Sequence, residues 1–394
     1  MDVVIIANAW QASHDNPTSK HQIAFELARM GHRVLWVEGA GMRKPSLGSS
    51  SDRSRIVDKL RKAFAGARRA PGKVDGEIHV LTPLLLPIPS SAWVRRLNGM
   101  MCRVRASRVA RRLSFRTPVL INYVPVLAEA MRGWRGKVIY HCVDRWSAFD
   151  MYDSELMDAA DAACCRYSDA VIASSTDLYK HCRTRHDRVS LVMHGVNHAN
   201  FAAGLDAAKR PPDLPSGAIV GFFGLLSEWL DQDLICRAAR ELPDRHFLLI
   251  GRADVNVDRL AREPNVHLLG PRPFDELPAY IAHFDVGTIP FVVNELTRAV
   301  NPIKLREMLA AGCPVVSTAL PEVEPYARIS AGGEEDSFVD VASDADGFIA
   351  ALRRRTESPP DADFRRRISD AVVGETWEAK TREIVEVVQR APGG

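Results

Sequence analysis

A chain of 394 residues is too long for one ordinary core, so two domains are the starting expectation. Hydrophobic residues at 46% and charged ones at 26% describe a soluble globular protein, and a net charge of +3 is too small to argue for nucleic acid. Seven cysteines, an odd number with no C-x-x-C pair, fit reduced cytosolic thiols and not a disulfide framework or a zinc site.

The N-terminal half alternates strand and helix. Val3 to Ala7 is a continuous apolar run suited to a central parallel strand, and MDVVIIANAW enters it without a basic leader, so no signal peptide is expected. A polar loop leads into a helix from about Lys20 to Met30, closed by Gly31. Further strands are expected at Arg33–Glu38, Ile78–Leu81, Val119–Asn122, Lys137–Cys142 and Ala170–Ala173. Such alternation implies a doubly wound α/β sheet. The longest apolar run, Leu81 to Pro89, is too short and too broken by proline to cross a bilayer.

Two segments, 53–73 and 93–116, are dense in arginine and lysine, and the second has no acid at all. Leu97, Met100, Met101, Val104, Val109 and Leu113 recur there at roughly helical spacing beside Trp93. A basic amphipathic helix points to anionic lipid; the plain alternative is a solvated face. No aromatic stacking pattern accompanies the arginines, which argues against nucleic acid.

The Pro-, Gly- and Ala-rich stretch Ala202–Gly217 precedes a fresh strand, Ala218–Phe223, and marks a domain boundary. The expected division is 1–205, a linker at 206–217, a second domain at 218–375 and a terminal segment at 376–394. Strands near Phe247–Ile250, Val266–Leu268, Val286–Pro290 and Val315–Ser317 repeat the pattern, and a final amphipathic helix runs from about Phe364 to Arg390. Gly221 and Gly224 flank a turn, GFFGLLSEW, where backbone could approach phosphates closely or where glycine merely permits the bend.

The stretch Phe284–Thr318 carries the most information. Between two buried strands lies a short helix with Asn301 as its expected N-cap, Pro302 in its first turn, and Gly312 and Pro314 at its end. A helix start beyond a strand's carboxyl end offers free N–H groups and a positive dipole end, which suits a phosphate. Lys304 adds a full charge there. Glu307, three residues on, shares its face and can accept from a diol such as ribose. An ordinary surface Lys–Glu pair is the alternative.

The run from Asn301 to Val316, NPIKLREMLAAGCPVV, stands in full as the N-P-I/V-K-L-x-E-x-L-A-A-G-x-P-V-V signature. It resembles the donor region of GT-B sugar-nucleotide glycosyltransferases, in particular a bacterial exopolysaccharide group that includes teichuronic-acid and xanthan-glucuronosyltransferase-like enzymes. SKHQIAFELARMGHRVLWVE, VIYHCVDRWSAF, SDAVIASSTDL, MHGVNHANF and FLLIGR follow in the order such enzymes show. Only about residues 42–117 fall outside the likeness. The resemblance implies two Rossmann-like domains facing an interdomain cleft. The first would be on the acceptor side and the second would bind the donor nucleotide, with a last helix crossing back to the first domain. It implies transfer from a UDP- or GDP-linked sugar to a glycan or lipid-linked acceptor. The setting would be the cytoplasm, with peripheral contact to the anionic inner membrane through 53–116. No metal or other cofactor is implied.

Site residues follow from the same likeness. Gly224, Arg252, Asn301, Ile303, Lys304 and Glu307 would hold the donor, with Arg298 a further cation nearby. Many relatives carry an Arg and a Lys in the loop that here reads LLSEWLD, so Lys304 must carry more of the charge. Asp144, just past the strand Val138–Cys142, is the expected base, although it could instead cap a helix or pair with Arg145. His21 and Asp15 are expected near it, with His141 and His194 weaker. Retaining members carry E-x7-E; with Glu307 as the second glutamate, the first falls on Ala299, which favours inversion. A dehydrogenase would need G-x-G-x-x-G after the first strand, and a P-loop enzyme G-x4-G-K-S/T; both are missing. An epimerase of the same fold and a non-catalytic scaffold remain as rivals.

Overall fold

The computed structural model describes residues 1–10, 17–39, 66–70, 76–86, 91–207, 209–329 and 337–393. They form two compact units, Met1–Met193 with Lys380–Gly394, and His194–Ala379.

The first unit's strands are β1 (Asp2–Ala7), β2 (Arg33–Glu38), β3 (Arg68–Arg69), β4 (Ile78–Leu81), β5 (Val119–Asn122), β6 (Val138–Cys142), β7 (Ala170–Ala173) and β8 (Val189–Leu191). They lie in the order β3-β4-β2-β1-β5-β6-β7-β8, parallel throughout except for the β3–β4 pair. Val3 to Ile6 of β1 are fully buried, as a strand with helices on both faces requires. The helices are α1 (Ser19–Arg29), α2 (Ala92–Arg112), α3 (Ser154–Tyr167) and α4 (Thr176–Arg183). Strand order turns back between β1 and β5. In an open parallel sheet, that reversal leaves the carboxyl ends of the neighbouring strands uncovered by a connecting helix.

The second unit opens with α5 (His198–Ala202) and α6 (Gly204–Ala207). Its strands are β9 (Ala218–Phe223), β10 (Arg245–Ile250), β11 (Val266–Gly270), β12 (Val286–Ile289), β13 (Val315–Thr318) and β14 (Val339–Ala342), all parallel in the order β11-β10-β9-β12-β13-β14. Here the order turns back between β9 and β12. The helices are α7 (Gln232–Glu241), α8 (Asp258–Ala261), α9 (Leu277–Ile281), α10 (Glu295–Arg298), α11 (Ile303–Ala310), α12 (Ala345–Glu357), α13 (Ala362–Asp370) and α14 (Trp377–Arg390).

Several expectations are corrected. Residues 194–205 belong to the second unit: His194 bonds the Asn301 carbonyl, Val196 bridges Thr376, and Phe201 is buried in the second core. The composition shift at 202–217 therefore lies inside that unit. The single terminal helix is two, α13 and α14, separated by a turn at 371–376. From Lys380 onward α14 belongs to the first unit, where the Lys137 ammonium donates to the Val388 and Gln389 carbonyls at 2.9 and 2.8 Å. On α2 the apolar residues do not share one face: Val94, Cys102 and Val109 are buried while Trp93 and Met100 point outward. Residues 53–65 and 71–73 of the basic segment lie outside the described residues.

Gly221 lies within β9 and not at a phosphate turn, because the Phe284 ring occupies the space a side chain would need. Gly221→Ala drives a methyl into that ring, and the expected overpacking cost is about 1–3 kcal/mol. Urea unfolding reads it, and an unchanged midpoint would show that Phe284 yields freely.

Candidate active site

In the second unit the strand ends at the reversal carry the donor motif. Gly224 follows β9 with φ +127°, a conformation that favours glycine. Its amide donates to the Ile250 carbonyl at 2.8 Å. A Cβ at Gly224 would land on Lys304 Cε and lie 2.8 Å from its Nζ, so the lysine stem fills the space that glycine leaves. The ammonium sits 5.7 Å from the Phe222 ring centroid and 5.8 Å from that of Phe291. Burial pulls the Lys304 pKa down and pushes Glu307 up, while their mutual attraction opposes both shifts. Arg252 stands exposed just past Gly251 at the end of β10, on the same rim.

Helix α11 starts at Ile303, so the Ile303 and Lys304 amides precede its first internal hydrogen bonds. Asn301 is not the cap. Pro302 occupies that position, and Asn301 Oδ1 accepts instead from Arg306 Nη1 at 2.7 Å. The Asn301 carbonyl meets His194 Nδ1 at 3.0 Å, and its Nδ2 is buried without a partner. Arg306 is fully buried, bonds Glu375 at 2.5 Å and lies 5.2 Å over the Tyr326 ring. The Tyr326 hydroxyl donates to the same Glu375 oxygen at 2.5 Å. This network fixes the turn that presents Lys304. Ala299 is buried and Glu295 exposed on α10.

In the first unit, the reversal gathers residues from beyond β1, β5 and β6. Asp144 follows β6 and keeps part of its surface open, yet desolvation pushes its carboxyl up to about 6, with Lys20 pulling the other way. It caps no helix: the short turn Trp146–Ala148 begins without a side-chain cap. Tyr123, past β5, shares a 3.0 Å hydrogen bond with His141 Nδ1. His21 is 4% exposed. Its Nδ1 meets the Thr18 hydroxyl at 2.8 Å and accepts from the Thr18 amide at 3.3 Å, completing the cap of α1. Its ring stacks on Trp36 at 4.6 Å, and burial then the Lys20 charge pull its pKa down to about 4. The structure thus uses His21 to start α1. Asp15 lies outside the described residues.

Lys20 was missed by sequence reasoning. It is the second residue of α1, 7% exposed, with its ammonium 5.3 Å from the Trp146 ring and 5.9 Å from that of Tyr123. The available signal was its place in a first helical turn, where the helix dipole disfavours a cation. Among the described residues no three His, Cys, Asp or Glu side chains gather as a metal site.

Asp144 makes a test of the first-unit geometry. Its folded pKa lies above the ordinary value, so the folded chain holds the proton more tightly. The contribution of Asp144 to stability is therefore fullest below about pH 4 and falls as pH rises through the window to about 6. Asp144→Asn is expected to be more stable than the parent above pH 7, by on the order of 1–3 kcal/mol, with the gain vanishing near pH 4. Thermal melts across pH measure it, and a pH-independent difference would contradict the assignment.

Residues 217–357 match the family described as Glycosyl transferases group 1. Over 285 residues, 66% of this chain and 68% of the relative, the sequence is 29% identical to a putative teichuronic acid biosynthesis glycosyltransferase, TuaH, of Bacillus subtilis. Among solved structures, the chain is similar to Anabaena Alr3699/HepE in complex with UDP, at 14% identity and TM-score 0.66, over 99% of this chain and 100% of that one. It is also similar to the sucrose-phosphate synthase of Thermosynechococcus elongatus, at 14% identity and TM-score 0.68, over 99% and 98%. The group 1 match spans the Asn301–Val316 motif, and the structural likeness spans both parallel sheets: this chain is a glycosyltransferase of the GT-B fold.

Proposed function

We propose that the enzyme moves a hexose from a nucleoside-diphosphate sugar to a hydroxyl of a glycan or lipid-linked glycan in bacterial polysaccharide synthesis, with inversion. The observation that carries this reading is the start of α11, where two free amides and the Lys304 ammonium converge beside side-chain-free Gly224. The HepE complexes with UDP and UDP-glucose support a uridine nucleotide, and the TuaH name supports a polysaccharide product.

In this reading the diphosphate oxygens accept from the Ile303 and Lys304 amides and from the Lys304 ammonium, with Arg252 adding charge at the rim. Glu307 accepts from the ribose hydroxyls. The acceptor hydroxyl attacks the anomeric carbon and gives its proton to Asp144. The bond from that carbon to the diphosphate breaks, and its electron pair leaves on the phosphate oxygen. Those oxygens gain charge in the transition state, so the preorganised donors of α11 hold it better than the ground state.

Lys304→Ala is expected to weaken donor binding about 10- to 100-fold, since a charge-assisted hydrogen bond is worth roughly 1.5–3 kcal/mol. Asp144→Asn is expected to leave donor affinity within about twofold while turnover falls by roughly 10²–10⁴, the usual size of base catalysis. Calorimetry against UDP, GDP and TDP sugars, followed by product assay, separates the two. Unchanged donor affinity in the first variant, or near-normal turnover in the second, sinks the corresponding role.

Peripheral contact with an anionic membrane belongs to the same proposal. Helix α2 carries seven arginines and no acid. Trp93 is 68% exposed and Met100 48%, and exposed Leu86 is tied to α2 through both its amide and its carbonyl to Asn98. A groove of about 560 Å³ beside its second half is lined by Arg103, Arg108, Arg111 and Arg135. Exposed Trp and Met beside arginines suit the interfacial layer of a bilayer. No described helix is long and apolar enough to cross one. Vesicles with a third phosphatidylglycerol should bind the protein and pure phosphatidylcholine should not. Changing Arg108, Arg111 and Arg135 to Gln should cost roughly 100-fold, at about 1 kcal/mol each. Equal binding to both vesicles would end this part of the reading.

A further inference from the structure

The reversal point of the first sheet holds a second pair of opposite charges, buried Lys20 and half-buried Asp144. They are not in contact: no N···O approach within 4.0 Å joins them. Among the described residues the Lys20 ammonium makes no hydrogen bond or ion pair at all, and neither does the Asp144 carboxylate. Yet Lys20 is only 7% exposed. An ammonium buried without an acceptor is costly, and the faces of Trp146 and Tyr123 return only part of that cost, about 2 kcal/mol or more for a desolvated contact.

The charge is placed by three separate elements. Helix α1 supplies Lys20 from beyond β1, Tyr123 follows β5, and Asp144 and Trp146 follow β6. These are three adjacent strand ends in one parallel sheet. Sequence-distant residues converging on one ammonium are more than a helix-surface accident. The second unit repeats the pattern: Lys304 is likewise the second residue of its helix, flanked by two aromatic rings and one carboxylate.

We propose that Lys20 is a positioning residue of the acceptor site, whose ammonium, held over the Trp146 ring two residues from Asp144, keeps Asp144 a carboxylate for the incoming hydroxyl. The proposal rests on the reading of Asp144 as base. Other ionisable groups nearby are His21 on α1, Tyr123 past β5, and His141 and Arg145 on either side of Asp144. His21 stays neutral above about pH 4, and burial drives the Tyr123 phenol far above its ordinary value. Lys20 is the charge that acts on Asp144 against the desolvation. Because the two do not touch, the carboxylate keeps its accepting positions for a hydroxyl. An ion pair in full contact would have used them.

The test is the Asp144 titration itself, followed by carbon-13 NMR of aspartate-labelled full-length protein and assigned by the signal lost in Asp144→Asn. The parent carboxyl should titrate near 6. In Lys20→Met its midpoint should rise by about one unit or more, a tenfold change in proton affinity, and Lys20→Arg should restore it. Lys20→Gln serves if the methionine variant does not fold. An unchanged midpoint in the neutral variants overturns the proposal. Full turnover by Asp144→Asn would instead remove the base assignment while leaving the electrostatic coupling intact, so the two failures are distinguishable.

Discussion

Twice in this protein a lysine ammonium is drawn in among aromatic rings at the second residue of a helix, against the helix dipole, Lys20 buried and Lys304 half-buried. Each is walled by two aromatic rings and faces one carboxylate. Neither arrangement lowers the energy of the empty protein. A buried ammonium costs several kcal/mol after relaxation, and a single carboxylate partner does not fully repay that. What the arrangement provides is a fixed charge, already desolvated, at a place where a helix start adds two more donors. Such a charge interacts far more strongly with a developing negative charge than a hydrated surface lysine does. In each unit the surrounding cluster follows from holding that one charge still.

Parallel-sheet topology does the holding. Where the strand order reverses, neighbouring carboxyl ends are left open side by side. In the second unit this brings Gly224, Arg252 and Phe291 together with α11. Its first turn is then locked from behind by Arg306, Glu375, Tyr326 and His194, a buried network whose members come from residues 194 to 375. Loss of Glu375 removes the carboxylate that balances the fully buried Arg306 guanidinium, so the network tolerates that change poorly.

Much of this was legible in the sequence. Strands with unbroken apolar runs, such as Arg33–Glu38 and Val119–Asn122, read at their observed bounds because burial on both faces leaves no polar alternation to confuse them. The Lys304 helix read well because proline and glycine punctuate it. Short edge strands did not: β3 is two arginines, and a central serine in β8 and an aspartate in β14 break their apolar runs. Asn301 looked like a cap because its side chain suits one, but Arg306, five residues later, claims its oxygen. Lys20 was invisible for another reason. Its one local mark is a cation's place in a first helical turn, and its aromatic walls lie more than 100 residues away. The α2 face was misjudged because helical spacing gives a period without saying which side is buried.

The return of residues 380–394 to the first unit has a consequence for biogenesis. The second unit, from His194 to Ala379, is one uninterrupted stretch and can consolidate as soon as it leaves the ribosome. The packing of the first unit is completed later, because the backbone carbonyls that Lys137 grips are translated after the second unit. The half of the chain made first is thus the half completed last.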